Sequence, residues 1–254
     1  MVRSLLLAGA LFALPSPAAA QFDHSRFDRL LAAHVHDGRV DYDAFARAPE
    51  FAGYLASFAA ARPGTLAPTD RLAFWINAYN AFTIDLINRN HERSSIRRIA
   101  RFRSGGPWGV KFAAIGGKTY TLDDIEHGII RVEFHEPRIH VALVCASIGC
   151  PPLRAEAYRG DALDRQLDDQ ALTFFARSPQ KNWVDVSTRT AHLSQIFDFR
   201  DYIKDFGGSK ASVGRFVAPY FRRAGKVAEA DILESGHFDL KYTEYDWSLN
   251  GLAK

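Results

Sequence analysis

Apolar residues recur at helical spacing through the first third of the chain and give way later to shorter, alternating runs. Phe27 to Val35 carries apolar positions at helical spacing until Asp37-Gly38 breaks it. Asp43 to Ala60 forms a second periodic segment, closed by Pro63-Gly64. Asp70 to Asn88 (DRLAFWINAYNAFTIDLIN) is apolar nearly all round, which predicts a central, buried helix. Between Val110 and Thr121 two short β-like runs flank Gly116-Gly117, the pattern of a hairpin. Thr121-Leu122-Asp123-Asp124 has capping-box form and opens a helix through about Arg131. Ile139 to Val144 is a buried strand by composition. Ala162 to Ala176 is helical, and Trp183 to Leu193 holds two strands around Ser187-Thr188. Helices follow at about Gln195 to Lys204 and Ala211 to Tyr220, and Phe238 to Tyr245 alternates like a last strand. The expected class is α+β, a helix-rich N-terminal part packed on a small, mainly antiparallel sheet.

The first twenty residues form a secretory signal pattern: Arg3, the apolar run Leu5 to Leu14, and the small residues Ala18-Ala19-Ala20. The apolar run is too short to span a bilayer, so the expectation is an exported chain, periplasmic or extracellular, without a membrane span. No repeat or low-complexity tract divides residues 21–254, which reads as a single domain. A net charge of +3 together with export argues against a nucleic-acid partner. The densest positive stretch, Arg93 to Arg103, reads first as a solvated loop and second as a contact for an anionic surface or substrate carboxylate.

The chemistry concentrates in RIHVALVCASIGCPPL, Arg138 to Leu153, where an apolar run meets Cys145 and turn-forming residues follow at once. A thiol there is a candidate nucleophile if a histidine, a cation or local amides favour the thiolate. Cys150 offers two other readings, a Cys145-Cys150 disulfide in an oxidising compartment and a resolving thiol for redox chemistry. His135 and His140 continue a five-residue beat into the cysteines and invite a zinc reading. On a regular strand His140 and Cys145 would face opposite ways, which argues against a metal. Glu126-His127 lies on the short capped helix and supplies an imidazole base, with His140 the alternative. Asn77 and Asn80, three apart on the apolar helix, must find partners if buried; they either bind backbone or orient a catalytic imidazole. Gln195 is a further candidate for holding an oxyanion. No cofactor is implied by these residues.

Four blocks, FWINAYNAFTIDLI, LDDIEHGIIR, RIHVALVCASIGCPPL and LSQIFDFRDYIKDF, make the stretch from Asp70 to Phe206 resemble the family known as domain of unknown function 547. The resemblance implies an α+β relative of papain-like cysteine hydrolases acting on small peptides or amides such as glutathione-like thiols. It implies Cys145 as nucleophile, His127 as base and Glu126 as acidic partner. The order of His before Cys is the reverse of papain's, so the relationship requires a permuted topology. Plant relatives regarded as interaction proteins make a non-enzymatic binding module with a Cys145-Cys150 disulfide the alternative.

Overall fold

The computed structural model describes residues 21–252, so the signal-peptide reading of residues 1–20 lies outside the described residues. Helix α1 (Ser25–His34) runs into a tight hairpin, β1 (Val35–His36) and β2 (Arg39–Val40), turned at Asp37-Gly38 with positive φ at both positions. The next periodic segment is two helices rather than one. Asp41 caps α2 (Tyr42–Arg47) by accepting from the Ala44 amide, and Pro49 then opens α3 (Pro49–Ser57), since its missing N–H costs nothing at a first turn.

These elements pack on α4 (Pro68–Arg89), the long helix that its all-round apolar sequence predicts. Residues 72 to 84 are buried without a gap. The hairpin around Gly116-Gly117 is present as β3 (Ala113–Ile115) and β4 (Lys118–Tyr120). The Thr121 capping box is also present: the Asp124 amide donates to Thr121 Oγ1 (2.8 Å) and the Thr121 amide donates to Asp124 (2.9 Å). The helix it opens is unusual. Asp124–Ile130 is a π-helical stretch that continues as α5 (Arg131–Phe134), and such wide turns occur often at functional sites.

Ile139 to Val144 is not a strand. It begins as one helical turn, α6 (Ile139–Ala142), and extends only from Leu143 onward. The run is buried on every side, and a short, uniformly buried apolar run carries no periodicity to separate strand from helix. Farther on, α7 (Leu163–Ala171) passes into a second π-helical stretch, Leu172–Ala176. β5 (Trp183–Asp185) and β6 (Thr190–Ser194) follow, then the 3-10 turns Gln195–Asp198 and Tyr202–Phe206. The chain ends in α8 (Lys210–Arg223), α9 (Val227–Ser235) and β7 (Asp239–Thr243).

Helix outweighs strand 51% to 11%, which makes the class α+β. The expected single sheet is corrected: among the described residues there are two separate hairpins and a three-stranded sheet in the order β5-β6-β7. Only β5-β6 is antiparallel there, because β7 returns parallel to β6 after the α8-α9 pair. Two hydrophobic cores result. One gathers α1 to α4 with the β3-β4 hairpin, and the other gathers α8, α9 and the three-stranded sheet. Cys145 packs against both, which places the thiol at their seam.

Candidate active site

Asn80 fixes the segment that leads into the thiol. Its Nδ2 donates to the Ala142 carbonyl (2.9 Å) and its Oδ1 accepts from the Val144 amide (2.9 Å), so a buried amide stands in for a neighbouring strand. Asn77 does the same for the backbone of Tyr158, at 2.7 and 2.9 Å. Both asparagines therefore bind main chain, and neither touches an imidazole. Beyond Cys145 the chain doubles back through Ala146, held at φ +60°, a left-handed conformation that costs a residue with a Cβ. The C-terminal segment fastens this loop: the Ile148 amide donates to the Ser248 carbonyl and the Gly149 amide to that of Asp246, both at 2.8 Å.

The close packing at Gly149 delivers one more group. A Cβ there would stand 2.8 Å from the Tyr245 ring, so only glycine lets that ring lie against the loop. The Tyr245 hydroxyl then lies 3.0 Å from both Cys145 Sγ and Ser147 Oγ, and Ser147 Oγ is 3.2 Å from the same sulfur. Cys150 Sγ approaches Cys145 Sγ to 2.7 Å and accepts the Cys145 amide at 2.9 Å. Both cysteines are free. Their sulfurs lie inside nonbonded contact and beyond the about 2.05 Å of a disulfide.

These contacts drive the two thiols apart in acidity. Burial alone would raise Cys145, but the hydrogen bonds from Cys150, Ser147 and Tyr245 outweigh it and hold the thiol below its ordinary value. Burial pushes Cys150 well up, and the neighbouring Cys145 adds to the shift. Burial likewise keeps the Tyr245 hydroxyl protonated. The site thus holds one thiol favoured as thiolate beside a neutral thiol and two hydroxyls.

Cys145 opens on a cavity of about 230 Å³. Glu126, His127 and His140 line it, so three of the residues expected from sequence meet the thiol there. The strand-parity separation of His140 from Cys145 is corrected, because the helical turn of α6 and the extended residues after it bring both to one cavity. Trp108, Phe199, Tyr245 and Trp247 form an aromatic wall, with ring centroids of Tyr245 and Trp247 4.5 Å apart and those of Phe199 and Trp247 5.7 Å apart. Tyr245 and Trp247 line this cavity and pack against Phe199. Arg97, from the positive stretch, lies 5.0 Å over the Trp247 ring, and Arg93 pairs with Asp43 at 2.7 Å.

The two imidazoles differ in what they have left to offer. His127 Nδ1 lies 3.2 Å from Arg131 Nη1; a guanidinium can only donate, so that nitrogen is the acceptor. Its Nε2 faces Asp123 at 3.7 Å. Burial depresses its pKa, against the pull of Glu126 and Asp123. His140 is buried, and its Nε2 lies 2.7 Å from Asp205, which Arg131 also holds at 2.6 Å. Burial would raise Asp205, but the bonds from His140 and Arg131 hold its carboxyl far below the usual carboxylate range. The Tyr202 ring packs on His140 with centroids 4.1 Å apart, and His140 Nδ1 has no partner among the described residues.

Glu126 is corrected as the acidic partner of His127: its carboxylate accepts from the Tyr202 hydroxyl instead, and the carboxylates facing the histidines are Asp123 and Asp205. Gln195 does not line the cavity; the 3-10 turn that it opens presents Ile196, and Phe199 follows. Among the described residues no cluster of three or more His, Cys, Asp or Glu side chains is placed to hold a metal ion. No helix among them is long and apolar enough to cross a membrane. Sequence reasoning missed Asp205, Tyr202 and Tyr245 as site residues. The first two lie inside the block LSQIFDFRDYIKDF, whose polar residues were the available signal.

No curated protein and no solved structure matches the chain. Residues 63–175 match the family described as Protein of unknown function, DUF547, a span that contains Asn77, Asn80, Glu126, His127, His140 and both cysteines but ends before Asp205 and Tyr245. Over that segment, less than half of the chain, the sequence is similar to the DUF547 family.

Proposed function

We propose that this chain is a cysteine-dependent hydrolase of small peptides or amides, with Cys145 as nucleophile and His140, oriented by Asp205, as its base. The observation that carries the reading is the His140-Asp205 pair: a carboxylate fixes one ring nitrogen at 2.7 Å, the other is buried without a partner among the described residues, and His140 lines the cavity that Cys145 opens on. His127 has no lone pair to spare, because Arg131 occupies the one on Nδ1.

In this reading the Cys145 thiol turns from Cys150 toward His140 when substrate binds, and His140 Nδ1 takes its proton. The sulfur adds to the substrate carbonyl, and Tyr245, which remains protonated, donates to the oxyanion. The imidazolium returns the proton to the leaving amine, and water hydrolyses the thioester with His140 again as base. The papain-like relationship enters here as part of the proposal, with the order His140, Cys145, Asp205 requiring a permuted topology. Action in the periplasm or outside the cell follows from the leader pattern of residues 1–20.

The test compares wild type with Cys145→Ala and His140→Ala on a panel of small peptide and amide substrates. Turnover that survives both substitutions sinks the reading. One observation favours the alternative of a non-enzymatic binding module: the sulfurs of Cys145 and Cys150 lie 2.7 Å apart, poised for a disulfide. Thiol counting on denatured, unreduced protein separates the two. Two free thiols leave the nucleophile available; none, with no activity gained on reduction, supports the binding module.

A further inference from the structure

Behind the loop that carries the two cysteines lies a second cavity, of about 650 Å³, that the proposed chemistry leaves unused. Three cations line it, and Asp37 is the only carboxylate among its lining residues. Arg154 is already neutralised by ion pairs with Glu156 and Asp169. Arg39 and Lys181 are not. The Arg39 guanidinium, projecting from β2, has no hydrogen bond or ion pair among the described residues. The Lys181 ammonium donates to the Cys150 carbonyl and lies 5.5 Å from the Phe174 ring, with no carboxylate in ion-pair contact among the described residues. Burial pulls the Lys181 pKa down, against the pull of Cys150, Cys145 and Asp246.

The carboxylate that acts on both Arg39 and Lys181, Asp246, does so without an ion-pair contact, so two under-compensated, half-buried cations lining one cavity supply what an anion needs. The guanidinium fork matches the two oxygens of a carboxylate or phosphate, and the ammonium adds a point charge with donors to spare. We propose that this cavity binds a small oxyanion, carboxylate or phosphate, between Arg39 and Lys181. Lys181 also holds the Cys150 carbonyl, so a bound anion rests on the back of the loop whose front carries Cys145. The site stands apart from the hydrolase reading and does not need it.

Calorimetric titration of the whole protein with succinate and, separately, inorganic phosphate, at ionic strength balanced with chloride, tests the site. The expected result is saturable, one-site binding of at least one probe in the millimolar range or tighter. The arm that binds identifies the group. Arg39→Gln is expected to weaken it by about tenfold or more, and Lys181→Gln by a similar factor. Arg39 serves as the primary variant because its side chain makes no hydrogen bond or ion pair among the described residues and the β1-β2 pairing runs through its backbone. Absence of saturable binding by both probes, or equal affinity in Arg39→Gln, overturns the proposal.

Discussion

The two histidines of the cavity show how one residue type is turned to different work by its neighbours. His127 comes from a π-helical stretch and meets a guanidinium on one nitrogen and a distant carboxylate on the other; its environment favours the neutral ring and spends its lone pair. His140 comes from a single helical turn and meets a carboxylate at 2.7 Å and an aromatic ring on its face, and its remaining nitrogen has no hydrogen-bond partner among the described residues. Arg131 links the corners, donating to His127 on one side and to Asp205 on the other. Identity does not separate the two rings, and burial does so only in degree, His140 being buried and His127 half-buried. The occupancy of one lone pair does.

The comparison breaks most readily at its chemical end. Cys145→Ala reduces hydrolysis to background, read as turnover of a responsive peptide or amide. His140→Ala lowers kcat/KM by about 10³-fold or more and Asp205→Asn by about 10²-fold or more, whereas His127→Gln stays within about tenfold of wild type. The reverse ranking of the two histidines would return the base to His127. Asn80→Ala strips partners from the buried Ala142 carbonyl and Val144 amide, and unfolding by denaturant is expected to show a loss of about 2 to 4 kcal/mol. Asn77→Ala, which spares that segment, serves as the control with a similar stability cost and a smaller effect on Cys145 reactivity.

Acidity gives finer cuts. A depressed Cys145 means that its alkylation by iodoacetamide rises through an inflection below the about 8.5 of a free thiol, and Tyr245→Phe moves that inflection upward by removing a donor. The smallest effect belongs to His127. Its folded pKa is depressed, so between the unfolded value of about 6.5 and the lower folded one the unfolded chain binds the extra proton. Its contribution to stability is present above about pH 6.5 and is lost as pH falls through the folded pKa. His127→Gln should flatten that part of the stability profile, measured by denaturant titration at steps of pH.

What the sequence made legible was local. The Asp70 to Asn88 helix, the Thr121 capping box, the Asp37-Gly38 turn and the Gly116-Gly117 hairpin each depend on residues a few positions apart, and each is present. Ile139 to Val144 was misread because burial on every side erases the period, and what makes its end extended is Asn80, some sixty residues earlier in the chain. Helix α9 was missed, since VAEADILES carries too weak an apolar face to stand out. Within the site, Cys145, His127 and His140 were legible from residue type. Asp205 and Tyr245 were not, because they meet His140 and Cys145 from 65 and 100 residues away and only the fold brings them together.

The position of Cys145 at the seam of the two cores bears on how an inert form of this protein should be made. Alanine removes the sulfur from both clusters and from Ser147 and Tyr245 together, so a silent Cys145→Ala protein mixes lost reactivity with a loosened joint. Serine keeps a hydrogen-bonding atom at the same branch point. Cys145→Ser is therefore the form to use for trapping a bound substrate, with the two halves still fastened where they meet.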